Sequence, residues 1–210
     1  ELEAYDFAMG DVVLEQVLTL DRAEDGLVVA PAVHYMGPQL VGGNLVDQLL
    51  KGPTYMGWRE SVVSPEFRDE VKRITAKVIA HTRPQGPGGY DFLSVGGRPV
   101  LNDINTGRFN GAHQPKLFLQ MHAPDAHWYA WKHKPSDLVT VDELWAALEE
   151  RGVAFYPGAD GDKVGVFPLS YVRGVYGMFI AVGPDARTCL ELHATAKAVL
   201  RELTARNTAA

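Results

Sequence analysis

The sequence of 210 residues is poor in cysteine and contains no long apolar run. Its one cysteine, Cys189, excludes an internal disulfide and fits a reducing compartment, so we expect a cytoplasmic protein. No hydrophobic run approaches the length of a transmembrane helix. Two nucleotide-binding fingerprints, GxxxxGK(S/T) and GxGxxG, are also missing, which leaves a P-loop or Rossmann nucleotide site without support.

An excess of positive charge is missing as well. Lys and Arg number 20 against 26 Asp and Glu, which gives a net charge of −6 at pH 7. This balance argues against nucleic acid or an anionic membrane as the main partner. A polyanionic ligand would require a metal ion or a few basic side chains. The 46% of hydrophobic residues, without any biased tract, is typical of one large or two small globular domains.

Short β-rich runs and amphipathic helices alternate along the chain. Strands are predicted at Asp11 to Leu20, Leu27 to Tyr35, Asn44 to Leu50, Val153 to Tyr156, Val164 to Leu169 and Val175 to Val182, with a loop at Met36 to Gly43. Helices are predicted after Ser64, from Lys116 to His122, after the capping box that begins at Thr140, and from near Pro184. This order, with many hairpins, indicates an α+β fold rather than a doubly wound sheet.

One predicted hairpin carries three oxygen-bearing side chains at its open end. Its strands are YDFLSV and RPVLNDIN around Gly96-Gly97, and Asp91, Asp103 and Asn105 lie far from the turn. Carboxylate and amide oxygens are hard ligands that suit Mg²⁺, with Mn²⁺ as a second option. Asp and Asn at strand ends also serve turns and caps, so a purely structural role is the alternative.

The register of this hairpin decides whether the two carboxylates meet. A two-residue turn at Gly96-Gly97 would place Asp91 opposite Asn102, so that Asp103 would point to the other face. A three-residue loop or a bulge at Gly96 to Arg98 would instead pair Asp91 with Asp103. We therefore predict the longer loop or a bulge.

The segment after the hairpin, TGRFNGAHQP, is polar and rich in glycine, so its backbone can approach a ligand closely. Arg108 offers a planar cation suited to phosphate or carboxylate. Asn110 and His113 are further polar groups in the same segment.

The run DF…NDIN…R resembles the metal-binding hairpin of ATP-grasp ligases. Those enzymes carry an acid on one strand and Glu-x-Asn on the next, followed by an arginine. Asp91, Asp103, Asn105 and Arg108 stand at these four positions, with Asp in place of Glu at 103. The segments NTGRFNGAHQP, DQLL at Asp47 and YMGWR at Tyr55 are similar to the branch that includes the pheganomycin-type peptide ligase.

This resemblance implies an ATP-grasp-like antiparallel sheet with helices, plus a small α/β C-terminal subdomain. Residues 1–123 would form the C-terminal half of an ATP-grasp domain, 124–139 a linker rich in His, Trp and Pro, and 140–210 the subdomain. The lysines that hold the ATP phosphates in this family precede the segment seen here. We therefore expect the N-terminal part of the same polypeptide as a partner, and a homodimer stays open.

The activity implied by the resemblance is that of an ATP-dependent carboxylate–amine ligase with ATP and Mg²⁺ as cofactors. ATP would convert a small-molecule carboxylate to an acyl phosphate, which an amine then attacks. Arg108 would stabilise the transferring phosphoryl group. The alternative is a non-catalytic binding module on a truncated ATP-grasp scaffold, favoured by Asp103 and the missing lysines.

Three further residues receive roles from the resemblance, each with a structural alternative. Glu3 is expected to contact the adenine or ribose, or else to be a solvated terminal acid. Arg59 and His113 are expected to contact the substrate. An arginine after a strand can equally be a surface residue, and a single histidine can be packed.

Overall fold

An antiparallel sheet forms the centre of the computed structural model, which describes residues 18–51, 54–107, 109, 111–158 and 163–209. The strands are β1 (Pro31–Met36), β2 (Gln39–Lys51), β3 (Thr54–Glu60), β4 (Pro87–Val95), β5 (Arg98–Thr106), β6 (His127–His133), β7 (Gly165–Val172) and β8 (Tyr176–Gly183). The helices are α1 (Pro65–Thr82), α2 (His113–His122), α3 (Val141–Glu150) and α4 (Ala186–Ala209). Strand order is β5-β4-β1-β2-β3-β6-β8-β7, with every neighbouring pair antiparallel. The predicted α+β class is confirmed.

Helix α1 shows why the predicted helices begin and end where they do. The Ser64 hydroxyl accepts a hydrogen bond from the Phe67 backbone N–H at 3.2 Å, and Pro65 is the first helical residue. Such a cap contributes about 1 kcal/mol. Arg83 ends the helix in the left-handed conformation, at φ 46°, and donates its backbone N–H to the Ile79 carbonyl.

The helices divide between the two faces of the sheet. On one face, which we call the α4 face, α1 packs near β1 and β4, and α3 and α4 pack near β6 and β8. The other, which we call the α2 face, carries α2 over Trp58 and Ala130. Because neighbouring residues of a strand point to opposite faces, each strand contributes to both. Within the described part of the chain, no helix is long and apolar enough to cross a membrane.

Two local predictions were wrong. Residues 39–43, predicted as loop, belong to β2, which follows β1 directly after a turn at Gly37 with φ 55°. The pairing of β2 with β1 is irregular between Ala32 and His34: Asp47 and Val46 pair before the irregularity, and Val41 to Gln39 pair after it. The composition did not indicate this pairing. The predicted strand at Val153 to Tyr156 is reduced to one parallel bridge between Ala154 and Val166. The predicted strand at Asp11 to Leu20 lies largely outside the described residues.

The range 124–139, predicted as a linker, contains β6 at the centre of the sheet. Trp131 of this strand is opposite Gly57 of β3 and Phe179 of β8. The tryptophans of this range belong to the cores of both faces of the sheet. The range therefore contains an interior strand, whereas a linker would be expected to form a loop. The division of the chain into two units at this range stays a prediction.

Gly57 of β3 lies close against the backbone of β6. A Cβ atom at this position would lie 2.1 Å from the carbonyl oxygen of Ala130 and 2.6 Å from the Cα of Trp131. The backbone φ of Gly57 is 151°, which L-residues rarely adopt. Glycine is therefore required where the two halves of the sheet join.

His193 on α4 is expected to make stability depend on pH. Its ring packs against Tyr129 at 4.8 Å and Trp131 at 4.6 Å, and burial, aided by the charge of Lys197, lowers its pKa to about 4. Between this value and its ordinary pKa of 6.5, the unfolded chain binds a proton that the folded chain does not. His193 therefore leaves the free energy of unfolding unchanged above pH 6.5 and lowers it as the pH decreases toward 4. We expect a loss of about 1 to 2 kcal/mol, after allowance for solvent screening of this partly exposed group.

Urea unfolding at pH 7.5 and pH 5 measures this effect, with His193→Phe as the matched variant. The variant keeps an aromatic ring in contact with Tyr129 and Trp131 but cannot take up a proton. An equal loss of unfolding free energy in both proteins would assign the pH dependence to other groups.

Candidate functional site

The hairpin of β4 and β5 brings its two carboxylates together. Asp91 is paired directly with Asp103, as predicted. The turn, however, is a two-residue one at Gly96-Gly97, with φ of 57° and 71°. The predicted longer loop at Gly96 to Arg98 is therefore wrong, whereas the predicted bulge is present at another position of the hairpin. The register shifts farther along, where Phe92 pairs with Leu101, and Asn102 is the extra residue of a bulge.

Asn105 lies between the two carboxylates. Its side-chain nitrogen donates to Asp91 Oδ2 at 3.2 Å and to Asp103 Oδ2 at 3.1 Å. Asp91 is buried, with 8% of its surface exposed, whereas Asp103 faces solvent. The three residues form a compact acidic group on the α2 face, which we call the acid cluster.

Tyr35 fixes the strand that carries Asn105. Its hydroxyl donates to the Asn105 backbone carbonyl at 3.3 Å, and its ring stacks on Tyr90 at 4.7 Å. Tyr35 can reach this carbonyl because residue 88 is glycine, where a Cβ atom would lie 2.1 Å from the tyrosine Cζ. Burial raises the pKa of Tyr35, so the hydroxyl stays a donor at neutral pH.

Asp21 holds the other end of the hairpin. Its carboxylate accepts hydrogen bonds from Ser94 Oγ at 2.6 Å and from the backbone N–H groups of Gly97 at 2.8 Å and Gly96 at 3.1 Å. These bonds, that of Ser94 foremost, lower the pKa of Asp21. The turn and the open end of the hairpin are thus both anchored.

A cavity of about 270 Å³ opens beside the acid cluster. Its lining residues are Gln48, Tyr55, Trp58, Asp91, Asp103, Asn105, Phe109 and Gly111. Larger grooves lie elsewhere, including one of about 670 Å³ beside His133 and Arg201. The smaller cavity is the stronger candidate because paired carboxylates converge on it.

Two buried donors face this cavity. The hydroxyl of Tyr55 and the indole N–H of Trp58 have no hydrogen-bond partner among the described residues outside this pair, and the two rings lie 5.5 Å apart. Trp58 is only 3% exposed. Burial raises the pKa of Tyr55, with smaller contributions from Tyr176 and Asp91, and hydrogen bonding with the Trp58 indole N–H offsets part of the rise.

Gly111 lies close against these two donors. A Cβ atom on residue 111 would lie 3.1 Å from Trp58 Nε1 and 3.3 Å from the Tyr55 hydroxyl oxygen. The sequence analysis quoted Tyr55 and Trp58 within the run YMGWR but gave them no role in the site. The Tyr-x-x-Trp spacing around Gly57 was the available signal.

A row of aromatic rings borders the cavity near Asn105. Phe109 lies 5.5 Å from the ring of His34 and 5.8 Å from the ring of His113, the first residue of α2. The structure thus brings the predicted His113 to the edge of the site. Sequence reasoning missed His34, whose signal was a histidine within the apolar run LVVAPAVHY.

Arg59 does not share a face with the acid cluster. It follows Trp58 on β3 and therefore points to the α4 face. There it pairs with Asp25 and lies 4.0 Å from the buried Asp47. Its role as a substrate contact stays a prediction, separated from the cavity by the sheet.

Asp47 remains buried on that face through its own hydrogen bonds. It accepts from the Ser61 hydroxyl at 2.7 Å and from the Val62 backbone N–H at 3.0 Å. Burial is the main influence on this carboxyl group and raises its pKa. The pairing of Arg59 with two acids supports a structural role there.

Arg108 and Glu3 lie outside the described residues, as does Asn110, and their roles stay predictions. Within the described ranges, no set of three or more His, Cys, Asp or Glu residues converges on one point. A cation at the acid cluster would therefore have two carboxylates and one amide as ligands from the described residues.

Comparison with known proteins shows similarity of fold. No family model and no curated protein matches the sequence. Among solved structures, glycinamide-RNase-transformylase T from Mycobacterium tuberculosis matches with TM-score 0.58 and 15% identity over 89% of this chain and 53% of that one. N5-carboxyaminoimidazole ribonucleotide synthetase from Thermus thermophilus matches with TM-score 0.57 and 12% identity, over 89% and 52%.

A third structure, N5-carboxyaminoimidazole synthase from Aspergillus clavatus, was solved with ADP and 5-aminoimidazole ribonucleotide. It matches with TM-score 0.54 and 12% identity over 82% of this chain and 50% of that one. The likeness shows a shared fold, and the expected ATP-grasp-like antiparallel sheet with helices is confirmed. The chain spans about half the length of each neighbour.

Proposed function

We propose that this chain is the metal-binding part of an ATP-dependent carboxylate–amine ligase. The observation that supports it most is the direct pairing of Asp91 with Asp103, with Asn105 between them. This group lies on a fold shared with ligases, one of which was solved with ADP. Two carboxylates on directly paired residues repel each other and together attract a cation.

The acid cluster fits a hard divalent cation. Asp91 and Asp103 each present a carboxylate oxygen to the point where the Asn105 amide nitrogen lies. The other end of the same amide is an oxygen, so the three side chains can offer three hard ligands. Mg²⁺ prefers one or two protein carboxylates and takes its other ligands from water and phosphate. When bound, it would neutralise the phosphate charge during phosphoryl transfer.

Different residues of the chain would bind such a cation and position its ligands. Asp91 is buried and keeps a fixed position on β4, whereas the exposed Asp103 faces the cavity mouth from β5. Tyr35 holds the Asn105 backbone in place. Arg108, two residues beyond the end of β5, is proposed to stabilise the transferring phosphoryl group.

The reaction we propose joins an acid to an amine. The γ-phosphoryl group of ATP passes to a substrate carboxylate, giving an acyl phosphate and ADP. The amine then attacks the acyl carbon and phosphate leaves, which forms the amide. The substrates are a small-molecule carboxylate and an amine, and we propose that Glu3 contacts the nucleotide and His113 the substrate.

A second candidate is a non-catalytic binding module on the same scaffold. It is favoured by the short Asp103 at a position where ATP-grasp ligases carry Glu, which shortens the ligand by one methylene. Both candidates predict cation binding, but only the ligase predicts turnover of ATP.

ADP release by the full-length protein tests the proposal. We expect release that requires Mg²⁺ and rises when the matching carboxylate and amine are supplied from a panel of amino acids and small acids. Mg²⁺-dependent nucleotide binding without ADP release across that panel would favour the binding module. Absence of both would contradict the placement of a nucleotide at this site.

A further inference from the structure

We infer that the groove between the C-terminal half of α4 and the loop after β6 binds a small-molecule phosphate monoester, whose phosphate group is held by Lys134 and Arg201. The groove, which we call the α4 groove, has a volume of about 670 Å³. This volume is typical of sites for small organic ligands. His133, which lines it, is two positions after Trp131 on β6, so the groove lies on the α4 face. The sheet therefore separates it from the acid cluster, and the inference goes beyond the proposed function.

Accessible cations without partners line the α4 groove. Lys134 belongs to the loop after β6, and Arg201 belongs to α4. Both side chains are exposed, and neither makes an ion pair or a hydrogen bond with a residue that the structure describes. Lys197, one turn before Arg201, lies close by, because burial and then the charge of this lysine lower the pKa of His133. In a chain of net charge −6, such a group of cations attracts an anion locally.

One acid, Asp137, also lines the groove. Its charge is opposed by Arg173, whose Nε donates to the Asp137 backbone carbonyl at 2.9 Å. Two cations and one acid thus line the groove, and two more cations, Lys197 and Arg173, lie beside it. The resulting field is positive, and it favours a ligand with two negative charges over a ligand with one.

The loop that carries Lys134 forms a wall that is already fixed without a ligand. Side chains from β7, from the turn after it and from α4 donate to three consecutive backbone carbonyls of this loop, those of residues 137, 138 and 139. The donors are Arg173 at 2.9 Å, Asn207 at 2.8 Å and Tyr171 at 3.0 Å. A wall held in this way loses little conformational freedom when a ligand binds.

The donors of the groove suit a phosphate group. A phosphate monoester carries a charge of about −1.5 to −2 at pH 7, whereas a carboxylate carries a single charge. The planar fork of Arg201 and the point charge of Lys134 are both common ligands of phosphate oxygens. The Ser136 hydroxyl lines the same groove and accepts from the Leu138 backbone N–H at 3.1 Å. Its own hydrogen is then available for a phosphate oxygen.

The groove also has an apolar part. The buried side chains of Pro135 and Leu200 line it together with the charged residues. Inorganic phosphate would leave this surface in water, whereas the organic body of an ester would cover it. The combination therefore favours a phosphate monoester with an apolar body over the free ion.

Isothermal titration calorimetry with phenyl phosphate tests this inference. The titration is done on the full chain at neutral pH and low salt, without Mg²⁺ and without nucleotide. We expect saturable binding that is about ten-fold tighter than that of benzoate, which carries less charge. Binding should also be about five-fold tighter than that of inorganic phosphate, because the ring covers Pro135 and Leu200.

Variants assign the binding to this groove. Arg201→Gln and Lys134→Gln are each expected to weaken phenyl phosphate binding about ten-fold, which corresponds to one lost hydrogen bond between charged groups. Asp137→Asn removes the one acid of the lining and should tighten binding about three-fold. Lys72→Gln is the matched control, because it removes an exposed cation on α1 and should change nothing.

Four results would overturn the inference. The first is no saturable binding of phenyl phosphate. The second is unchanged affinity in both Arg201→Gln and Lys134→Gln. The third is binding of benzoate or inorganic phosphate as tight as that of phenyl phosphate. The fourth is binding to vesicles that contain phosphatidic acid without binding of phenyl phosphate, which would make the groove a membrane contact. Since the titration requires neither Mg²⁺ nor nucleotide, its failure would leave the ligase proposal standing, and the reverse also holds.

Discussion

Asp103→Asn is expected to reduce Mg²⁺-dependent ADP release by about 100-fold or more while leaving the fold intact. The substitution keeps the shape of the side chain but removes one of the two charges that would hold a cation. Asp103 is exposed, and its one described side-chain hydrogen bond comes from Asn105 on the same strand. The loss of activity would therefore not result from unfolding.

The same substitution has an opposite expected effect on stability without metal. Asp91 and Asp103 face each other as like charges, and removing one charge relieves their repulsion. We expect Tm to stay equal or rise in the absence of Mg²⁺, and the increase in Tm that Mg²⁺ gives the unsubstituted protein to disappear. Asp69→Asn, which removes an exposed charge on α1, is the control and should change neither. Unchanged ADP release in Asp103→Asn would remove this residue from the site.

Gly57→Ala should destabilise the protein by about 3 to 5 kcal/mol, the largest effect that we expect of a single methyl group here. Its Cβ atom would lie 2.1 Å from the Ala130 carbonyl oxygen, and backbone atoms cannot turn aside as a side chain can. The strands that must separate are β3 and β6, which join the two halves of the sheet. Chemical unfolding monitored by far-ultraviolet circular dichroism measures the change.

Gly97→Ala is the matched control for Gly57→Ala. Both glycines have positive φ, but a Cβ atom on residue 97 would have no other atom within 4 Å. The control should therefore lose only the strain of the left-handed conformation, about 1 kcal/mol. Similar losses in both variants would mean that β3 and β6 can move apart at little energetic expense.

Much of the fold could be predicted because its signals are local. The N-cap of α1 at Ser64 and the capping box of α3 at Thr140 were both read from a few neighbouring residues and are present. The central strand β6 was missed because its position depends on β3 and β8, which are distant in sequence. A strand covered on both faces has no polar and apolar alternation to reveal it.

The candidate site likewise has one part that the sequence predicted and another that it did not. The pairing of Asp91 with Asp103 could be predicted because one hairpin carries both. The bulge that achieves it could not be located, because either a longer turn or an extra residue satisfies the same pairing. The contact of Tyr55 and Trp58 with Gly111 joins residues more than 50 positions apart in the sequence, and no local pattern encodes it.

The anchoring of the β4–β5 hairpin limits how this protein can respond to a ligand. Asp21 ties down its turn, and Tyr35 ties down its open end. A hairpin held at both ends cannot swing as a flap over the cavity. Its carboxylates therefore form a fixed wall against which a ligand must align, and adjustment on binding falls to side-chain rotations such as that of the Asn105 amide.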